Sequence, residues 1–295
     1  MTPDPLVELV ETPAERKGDG SFSVQSSASA FTTAKAEGRG ALVGYLPVGY
    51  PSVPGSLAAL KALCGEGGDT PGVDLVEIGL PYSDPMMDGP VIQRAGTRAL
   101  ERGVRTRDVF AAVEAVRSSG TPAVVMTYWN LVDRYGVDAF ARDLANAGGS
   151  GLITPDLIPD EAGDWLAASE SRGLDRVFLV SPSSTDERIV ATTNACRGWL
   201  YATSVMGVTG TRASSPTAAP DLVARIRRLA PETLVGVGLG VSNGDQAADV
   251  TSYADAVIVG SAFIKPLLAA DDAGTPDDLS GLRAVLADLT AGVRR

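Results

Sequence analysis

Residues 234–242 read Leu-Val-Gly-Val-Gly-Leu-Gly-Val-Ser, a short apolar run that passes into closely spaced glycines. Such a run is typical of a buried β-strand followed by a tight turn. The glycine spacing does not fit the GxGxxG pattern of dinucleotide-binding folds, which also lies after the first strand rather than late in the chain. The stretch therefore favours an α/β barrel, in which glycine-rich turns follow the late strands.

Seven other apolar runs share this character, so the sequence predicts eight strands. They are Ala41–Val48, Val73–Leu80, Ala123–Trp129, Gly151–Thr154, Arg176–Val180, Trp199–Thr203, Leu234–Leu239 and Ala256–Val259. Segments with helical spacing lie between them, namely Val53–Cys64, Thr106–Ser118, Val137–Ala147, Ile158–Ser171 and Thr217–Leu229. This alternation indicates a parallel sheet covered by helices, and the repeat number and the length of 295 residues favour a closed (β/α)8 barrel.

The sequence divides into a short extension and one catalytic domain. Residues 1–29 include the Gly- and Ser-rich stretch Lys17–Ser29 and are expected to be disordered. No Pro- or Gly-rich linker interrupts the later alternation. Residues 30–295 are therefore expected to form a single barrel domain.

Composition limits the partners and the compartment. The net charge of −11, from 36 acidic and 25 basic residues, disfavours nucleic acid as a partner. No apolar run approaches the roughly 20 residues that span a membrane, and the N-terminus lacks the apolar core of a secretory signal. The two cysteines, Cys64 and Cys196, lie outside any CxxC pattern, which fits a reducing cytoplasm.

The chain contains no histidine, which restricts its chemistry. Ser-His-Asp and Cys-His nucleophile systems and His-based zinc sites are excluded, and no metal site is predicted. Proton transfer near neutral pH therefore falls to Glu, Asp, Tyr, Cys or Lys side chains with shifted pKa values.

Glu77 lies inside the apolar strand Val73–Leu80. A carboxylate there is costly unless it is paired, hydrogen-bonded or protonated. Alternation places Glu77 on the same face as Leu75 and Gly79. If that face points into the barrel, desolvation raises the pKa of Glu77 toward the range useful for acid–base catalysis. An ion pair with an Arg or Lys of a neighbouring strand is the alternative.

The loop after this strand supplies a second carboxylate. Residues 81–90 read Pro-Tyr-Ser-Asp-Pro-Met-Met-Asp-Gly-Pro, which is rich in turn formers and long for a strand-to-helix connection. Loops at this end of barrel strands build active sites, so Asp88 is a candidate catalyst beside Glu77. A turn-forming or helix-capping role is the alternative for Asp88, and Asp84 is more typical of a turn residue.

Three glycine-rich segments follow the last three predicted strands, at residues 207–212, 238–242 and 260–261. Late loops of such barrels commonly hold phosphate on backbone N–H groups. Glycine lets the backbone approach the ligand closely, and Ser242 and Ser261 add hydroxyl donors. Together the segments predict a phosphate site.

These motifs resemble those of the tryptophan synthase alpha chain family. The most specific part is Val-Glu-Ile-Gly-Leu-Pro-Tyr-Ser-Asp-Pro at residues 76–85, with Asp-Gly-Pro at 88–90. The agreement continues in order through Met126–Asn130, Pro155–Leu157, Gly207–Gly210, Gly238–Ser242 and Val259–Ala262. The resemblance extends from about residue 30 to the C-terminus. It implies a carbon–carbon lyase that cleaves indole-3-glycerol phosphate to indole and glyceraldehyde 3-phosphate in tryptophan biosynthesis.

The resemblance also implies roles for single residues. Glu77 matches the glutamate that protonates the indole ring carbon and helps to remove the glycerol hydroxyl proton, and Asp88 matches the aspartate that holds the indole N–H. The other matches are Thr209 and Tyr201 for the lid and substrate positioning, Gly210, Gly240, Gly260 and Ser261 for phosphate, Tyr128 and Leu157 for the indole pocket, and Pro81 and Asp84 for partner docking.

A partner follows from the same resemblance. Alpha chains of the family dock on a beta chain that carries pyridoxal phosphate, in an α2β2 heterotetramer, and no cofactor is expected on this chain. The departures from the family pattern are the long N-terminal extension, Tyr82 and the pair Met86-Met87. The departures in the loop leave the expected chemistry intact but could alter docking.

Three other functions stay open at this stage. The chain could be a stand-alone lyase that releases indole for a specialised pathway, a weakly active subunit that mainly activates a partner, or another phosphate-binding barrel such as a sugar-phosphate isomerase. The intact acids Glu77 and Asp88 argue against the second. The lack of histidine and of predicted metal ligands argues against the third.

Overall fold

The computed structural model describes residues 22–203 and 218–295, and within these ranges nine strands form one parallel sheet covered by twelve α-helices. The strands are β1 (Ala41–Pro47), β2 (Leu75–Gly79), β3 (Ala123–Met126), β4 (Gly151–Ile153), β5 (Asp175–Val177), β6 (Leu179–Val180), β7 (Leu200–Thr203), β8 (Val235–Gly238) and β9 (Ala256–Val259). The helices are α1 (Ala28–Ala36), α2 (Val53–Leu63), α3 (Pro90–Glu101), α4 (Asp108–Ser118), α5 (Trp129–Tyr135), α6 (Val137–Asn146), α7 (Gly163–Arg172), α8 (Asp186–Ala195), α9 (Ala218–Leu229), α10 (Gly244–Thr251), α11 (Ser261–Asp272) and α12 (Ser280–Gly292), with a 3-10 turn at Pro159–Glu161.

The sheet closes on itself. Its strand order is β5-β4-β3-β2-β1-β9-β8-β7-β6. The two end strands are parts of one chain segment, separated only by Phe178, and β5 pairs with β4 while β6 pairs with β7. The nine strands therefore occupy eight positions around a barrel, and the predicted (β/α)8 fold is confirmed.

Side-chain alternation divides β2 between the barrel interior and the helix layer. Leu75 belongs to the interior cluster, whereas Val76 and Ile78 belong to the outer cluster that includes the helices. Glu77 lies two residues after Leu75 and therefore points into the barrel. Tyr45 of β1 is the register partner of Glu77 and shares this interior face.

The chain before β1 packs against the N-terminal end of the barrel. Phe22 is buried, and so is Ser27, whose N–H and Oγ each lie 2.6 Å from the Asp175 carboxylate at the start of β5. Phe31 of α1 lies on Trp199, with ring centroids 5.1 Å apart. Helix α1 therefore covers this end of the barrel interior.

Residues 22–29, expected from the sequence to be part of the disordered extension, belong to the described structure and pack on the barrel. The reason is local, because Ser26 and Ser27 provide donors for a buried carboxylate that the polar composition of the segment did not reveal. Residues 1–21 lie outside the described ranges, so their expected disorder stays a prediction. In the described part of the chain, no helix is both long and apolar enough to cross a membrane.

Two predicted elements differ in extent. Strand β3 ends at Met126 instead of continuing to Trp129, which begins α5. The segment predicted as one helix over residues 158–171 is a short 3-10 turn followed by α7. Pro159 lacks an N–H group, so it suits the first position of a helical turn. It cannot donate to a carbonyl before it, and the turn therefore begins at Pro159 and not earlier.

Candidate active site

Glu77 is buried in the interior of the barrel, with 1% of its surface exposed. Its Oε2 atom has no hydrogen-bond partner among the described residues, and no cation of theirs contributes to the shift of its pKa. Burial, and next the negative charge of Asp88, raise the pKa of Glu77 to about 8. The carboxyl group is therefore mainly protonated at neutral pH.

Asp88 lies half-buried in the catalytic loop, residues 80–89, which joins β2 to α3. Gly89 occupies the N-cap position of α3, so the helix-capping role considered for Asp88 is excluded. The side chain of Gln93 donates to the Asp88 carbonyl oxygen at 2.8 Å and fixes the end of the loop. Burial raises the pKa of Asp88 to about 6, which leaves it mainly ionised at neutral pH.

Two interior tyrosines lie beside these carboxyl groups, each over a glycine of the next strand. A Cβ atom on Gly79 would lie 2.1 Å from the Tyr45 hydroxyl oxygen, and one on Gly238 would lie 2.4 Å from that of Tyr201. Only glycine leaves room for the rings at both positions. Burial and the charges of the two carboxyl groups raise both tyrosine pKa values well above the ordinary range, so the phenols remain hydrogen-bond donors.

Sequence reasoning missed Tyr45, whereas Tyr201 was identified through the resemblance. All seven residues of β1 are buried, so burial alone does not separate its inward side chains from the rest. The signal that finds Tyr45 is the strand register, which pairs it with Glu77.

Aromatic rings form one wall of the site. Tyr128, two residues after the end of β3, is buried, and its hydroxyl accepts the Met87 N–H at 2.9 Å. Tyr82 of the catalytic loop stacks on Tyr128, with ring centroids 5.1 Å apart. Leu157, in the loop after β4, is also buried. This wall offers an apolar surface to a flat ligand.

Gly240, Gly260 and Ser261 form what we call the phosphate end of the site. The register pairs Gly238 of β8 with Ile258 of β9, so Gly240 and Gly260 each follow two residues later on neighbouring strands. Gly240 has φ +72°, a left-handed conformation that favours glycine. Ser261 begins the 12-residue helix α11, whose first N–H groups have no acceptor within the helix. Together these features suit an anion such as phosphate.

The loop that follows β7 lies largely outside the described residues. Thr209 and Gly210, expected in the lid and at the phosphate, fall between residues 203 and 218. Their predicted roles therefore stay predictions.

The two residues expected to dock a partner differ in exposure. Pro81 is buried and faces Gly96 of α3, where an added Cβ would lie 3.9 Å away. Asp84 is exposed, and its carboxylate accepts the Ser83 hydroxyl at 2.6 Å. Met86 has 65% of its surface exposed. Residues 83–86 are therefore the accessible tip of the catalytic loop.

A cluster of ion pairs joins α3 to α11. Helix α3 follows the catalytic loop and α11 begins at the phosphate end, so the cluster fixes the two parts of the site relative to each other. The sequence does not reveal it, because the partners lie far apart in the chain, 173 residues for one pair. The pairs, with N···O distances from 2.7 to 2.9 Å, are Arg94–Asp272, Arg98–Asp271, Arg98–Asp272 and Arg102–Asp271.

The arrangement suits a barrel enzyme that uses acid–base chemistry. At neutral pH Glu77 holds a proton that it can donate, while Asp88 carries a negative charge that can stabilise a cation. Residues 22–203 and 218–295 contain no group of three or more His, Cys, Asp or Glu arranged to hold a metal ion. Such a site acts on a ligand with a flat apolar part and an anionic group.

Comparison with known proteins identifies the family. The family model for the tryptophan synthase alpha chain matches residues 31–283. The tryptophan synthase alpha chain of Salinispora tropica is 58% identical over 265 residues, covering 90% of this chain and 96% of that protein. The chain belongs to the tryptophan synthase alpha chain family and is a carbon–carbon lyase of tryptophan biosynthesis.

Solved structures agree with this assignment. A structure of Mycobacterium tuberculosis tryptophan synthase has a TM-score of 0.83 and 56% identity, covering 92% of this chain and 99% of that chain. A mutant tryptophan synthase alpha-subunit from Pyrococcus furiosus has a TM-score of 0.75 and 30% identity, covering 86% of this chain and 98% of that chain. The barrel is thus retained where about two thirds of the residues differ.

Proposed function

We propose that this chain cleaves indole-3-glycerol phosphate to indole and glyceraldehyde 3-phosphate, with Glu77 as the acid–base catalyst and Asp88 as the electrostatic partner. The observation that carries this assignment is the separation of the two pKa values, about 8 for Glu77 and about 6 for Asp88. Two neighbouring carboxyl groups with different protonation states at neutral pH can take different roles.

The reaction needs two proton transfers, one from the enzyme to the substrate and one from the substrate to the enzyme. Glu77 donates its proton to the indole carbon that carries the glycerol chain, and the ring nitrogen becomes cationic. The Asp88 carboxylate accepts the N–H hydrogen bond and stabilises that cation. The ionised Glu77 then removes the proton of the adjacent hydroxyl group. The carbon–carbon bond breaks, its electron pair restores the aromatic ring, and the carbinol carbon becomes the aldehyde.

The rest of the site supports a substrate of this shape. The indole ring lies against the wall of Tyr128 and Leu157, and the phosphate group binds at Gly240, Gly260 and Ser261. Tyr201 lies beside Glu77 and contacts the reacting glycerol carbon. Thr209 and Gly210 complete the lid and the phosphate end. None of these steps requires a cofactor on this chain.

The partner is a tryptophan synthase beta chain, which carries the pyridoxal phosphate of the family, in an α2β2 assembly. The accessible tip of the catalytic loop supports this docking, because Asp84 and Met86 are exposed there. Pro81 contributes by holding the loop on α3 rather than by offering surface of its own. Docking next to Asp88 gives the beta chain a direct route to influence the catalytic loop.

Indole release by the purified full-length chain tests the proposal. The wild-type chain is expected to form indole slowly from indole-3-glycerol phosphate, and an added beta chain is expected to accelerate it strongly. Glu77→Gln keeps the size of the side chain but removes its acid–base function, so the rate should fall by about 10²- to 10⁴-fold. Glu232→Gln, an exposed glutamate at the opposite end of the barrel, is the matched control and should leave the rate unchanged.

Each outcome distinguishes between functions. Fast indole release that does not respond to the beta chain would indicate a stand-alone lyase instead of a subunit of tryptophan synthase. Stimulation of the beta chain without indole formation would indicate a subunit that mainly activates its partner. No release under any condition would refute the assignment of Glu77 and Asp88.

A further inference from the structure

The ring of Tyr45 extends from one end of the site to the other. Its Cδ1 atom lies 3.1 Å from the position that a Cβ on Gly260 would take, and its hydroxyl oxygen lies 2.1 Å from the corresponding position on Gly79. Gly260 belongs to the phosphate end, and Gly79 lies on β2 two residues beyond Glu77. Tyr45 therefore bridges the phosphate end and the catalytic acid.

Among the described residues, the Tyr45 hydroxyl is a donor without an acceptor. No hydrogen bond joins it to any residue of the described ranges, although only 8% of the tyrosine surface is exposed. A tyrosine hydroxyl both donates and accepts, and one without a partner among the described residues is free to donate a hydrogen bond to a ligand in the site. Burial, and next the charges of Asp88 and Glu77, raise the pKa of Tyr45 well above its ordinary value, so the hydroxyl stays protonated.

The orientation of the ring is fixed by its surroundings. Gly79 and Gly260 have no side chains, which leaves space on both sides of the ring. The hydroxyl end of Tyr45 lies against Gly79, and Cδ1 lies against Gly260. The register with Glu77 sets the height of Tyr45 in the barrel. A group held in this way loses little conformational entropy when it binds a ligand.

We propose that Tyr45 is a further substrate-binding residue, whose hydroxyl donates a hydrogen bond to the glycerol hydroxyl groups of the substrate. The inference rests on the proposed function, which puts the substrate phosphate at the phosphate end and the bond to be broken at Glu77. The part of the substrate between those two points is the hydroxylated carbon chain. Tyr45 extends over the same distance, from the phosphate end to the strand that carries Glu77, so its hydroxyl faces the glycerol carbons of the substrate.

This contact selects for the hydroxyl groups rather than for the phosphate or the ring. A substrate analogue with propanol phosphate in place of glycerol phosphate keeps the indole and the phosphate but offers no hydroxyl to Tyr45. A site that donates a hydrogen bond discriminates against a ligand that cannot accept it. Loss of the Tyr45 hydroxyl should therefore affect the two ligands differently.

Calorimetric titration of Tyr45→Phe separates the effects. Binding of indole-3-glycerol phosphate is measured in the Glu77→Gln background, where the substrate is not consumed, and binding of the propanol analogue in the same proteins. Tyr45→Phe is expected to weaken substrate binding by about tenfold, the effect of one hydrogen bond, and to leave analogue binding unchanged. Tyr253→Phe, at the opposite end of the barrel, is the matched control. Thermal unfolding of each variant verifies that it is folded.

The remaining outcomes are equally informative. Equal affinities of the Tyr and Phe proteins for the substrate would overturn the inference, and so would equal weakening for both ligands, which indicates a packing role. Both results leave the proposed function intact if the wild-type chain still releases indole. Failure of the wild-type chain to release indole would instead refute the proposed function itself.

Discussion

The negative charge of Asp88 raises the pKa of Glu77, in addition to the larger effect of burial. The two carboxyl groups are therefore coupled, with pKa values of about 8 for Glu77 and about 6 for Asp88. In the proposed mechanism, catalysis needs Glu77 protonated and Asp88 ionised. The proposed roles thus restrict activity to the interval between the two pKa values.

The first prediction is a bell-shaped pH dependence of kcat/KM for indole release, with limbs near pH 6 and pH 8. Activity falls below the lower limb because Asp88 becomes neutral, and above the upper limb because Glu77 loses its proton. The substrate phosphate also titrates near pH 6, so the upper limb is the decisive one. Activity that keeps rising through pH 9 would contradict the assignment of Glu77 as the acid.

The residual activity of Asp88→Asn provides a check on the coupling. Removal of the Asp88 charge should move the upper limb of the profile to lower pH, because that charge favours the protonated form of Glu77. The limb should stay above the ordinary glutamate pKa, since burial remains. An upper limb that does not move would show that Asp88 has no influence on Glu77.

The second prediction concerns stability. Because the pKa of Glu77 is about 8 in the folded chain against an ordinary value of 4.5, the folded state holds a proton that the unfolded state has lost between these values. This contribution is present in full below pH 4.5 and is lost as pH rises through 8. Glu77→Gln does not titrate, so its free energy of unfolding should increase relative to wild type by about 1 to 4 kcal/mol between pH 5 and pH 9.

Urea unfolding of both proteins at pH 5 and pH 9 measures this difference. Asp88 contributes to the pH dependence of both, so only the change in the difference between the two proteins reports on Glu77. Glu232→Gln should follow the wild-type values at both pH values. A constant difference between wild type and Glu77→Gln would show that the Glu77 pKa is not raised in the folded state.

Much of the fold and part of the site could be predicted from the sequence. The strands are short apolar runs between turn signals, so their positions were visible even though helices such as α5 and α12 were not predicted. Alternation along β2 placed Glu77 on one face with Leu75 and Gly79, and the structure shows that this face points into the barrel. Local patterns of this kind depend only on neighbouring residues.

The features that sequence reasoning missed depend on residues distant in the chain. Tyr45 enters the site because the register pairs it with Glu77, and its ring needs the space over Gly79. The contact of Ser27 with Asp175 joins residues 148 positions apart. Spacing within one segment does not reveal such partners, and without the closed barrel neither contact could be inferred.

The third prediction tests the fit of Tyr45 over Gly79. In Gly79→Ala the added Cβ would lie 2.1 Å from the Tyr45 hydroxyl oxygen and 2.4 Å from Cζ, so the ring must move. The expected results are a loss of about 1 to 3 kcal/mol of stability and a lower kcat/KM. Tyr45→Ala in the same chain should relieve the clash, so the stability losses should not add. Gly163→Ala, where nothing lies within 4 Å of the new Cβ, is the control.

Urea unfolding of the single and double variants measures this coupling. Additive losses would show that the Tyr45 ring does not occupy the space over Gly79. Activity is not expected to return in the double variant, because Tyr45 itself is proposed to bind the substrate.

The last prediction concerns Ser27, which immediately precedes helix α1. The Asp175 carboxylate is fully buried and accepts hydrogen bonds from the N–H and Oγ of Ser27, and the Trp199 indole N–H donates to the same Oγ at 3.1 Å. Ser27→Ala removes one donor from a buried carboxylate and, among the described residues, the acceptor of the Trp199 N–H. Unfolding should therefore become easier by about 1 to 3 kcal/mol.

Ser23→Ala and removal of residues 1–21 are the matched comparisons, because Ser23 is exposed and residues 1–21 are expected to be disordered. Urea unfolding should give wild-type stability for both and a lower midpoint for Ser27→Ala. Indole release should be nearly unchanged in all three below the unfolding transition, since the cluster lies at the end of the barrel opposite Glu77. If removal of residues 1–21 destabilised the chain as much as Ser27→Ala, the extension would have to pack on the barrel, and its expected disorder would be wrong.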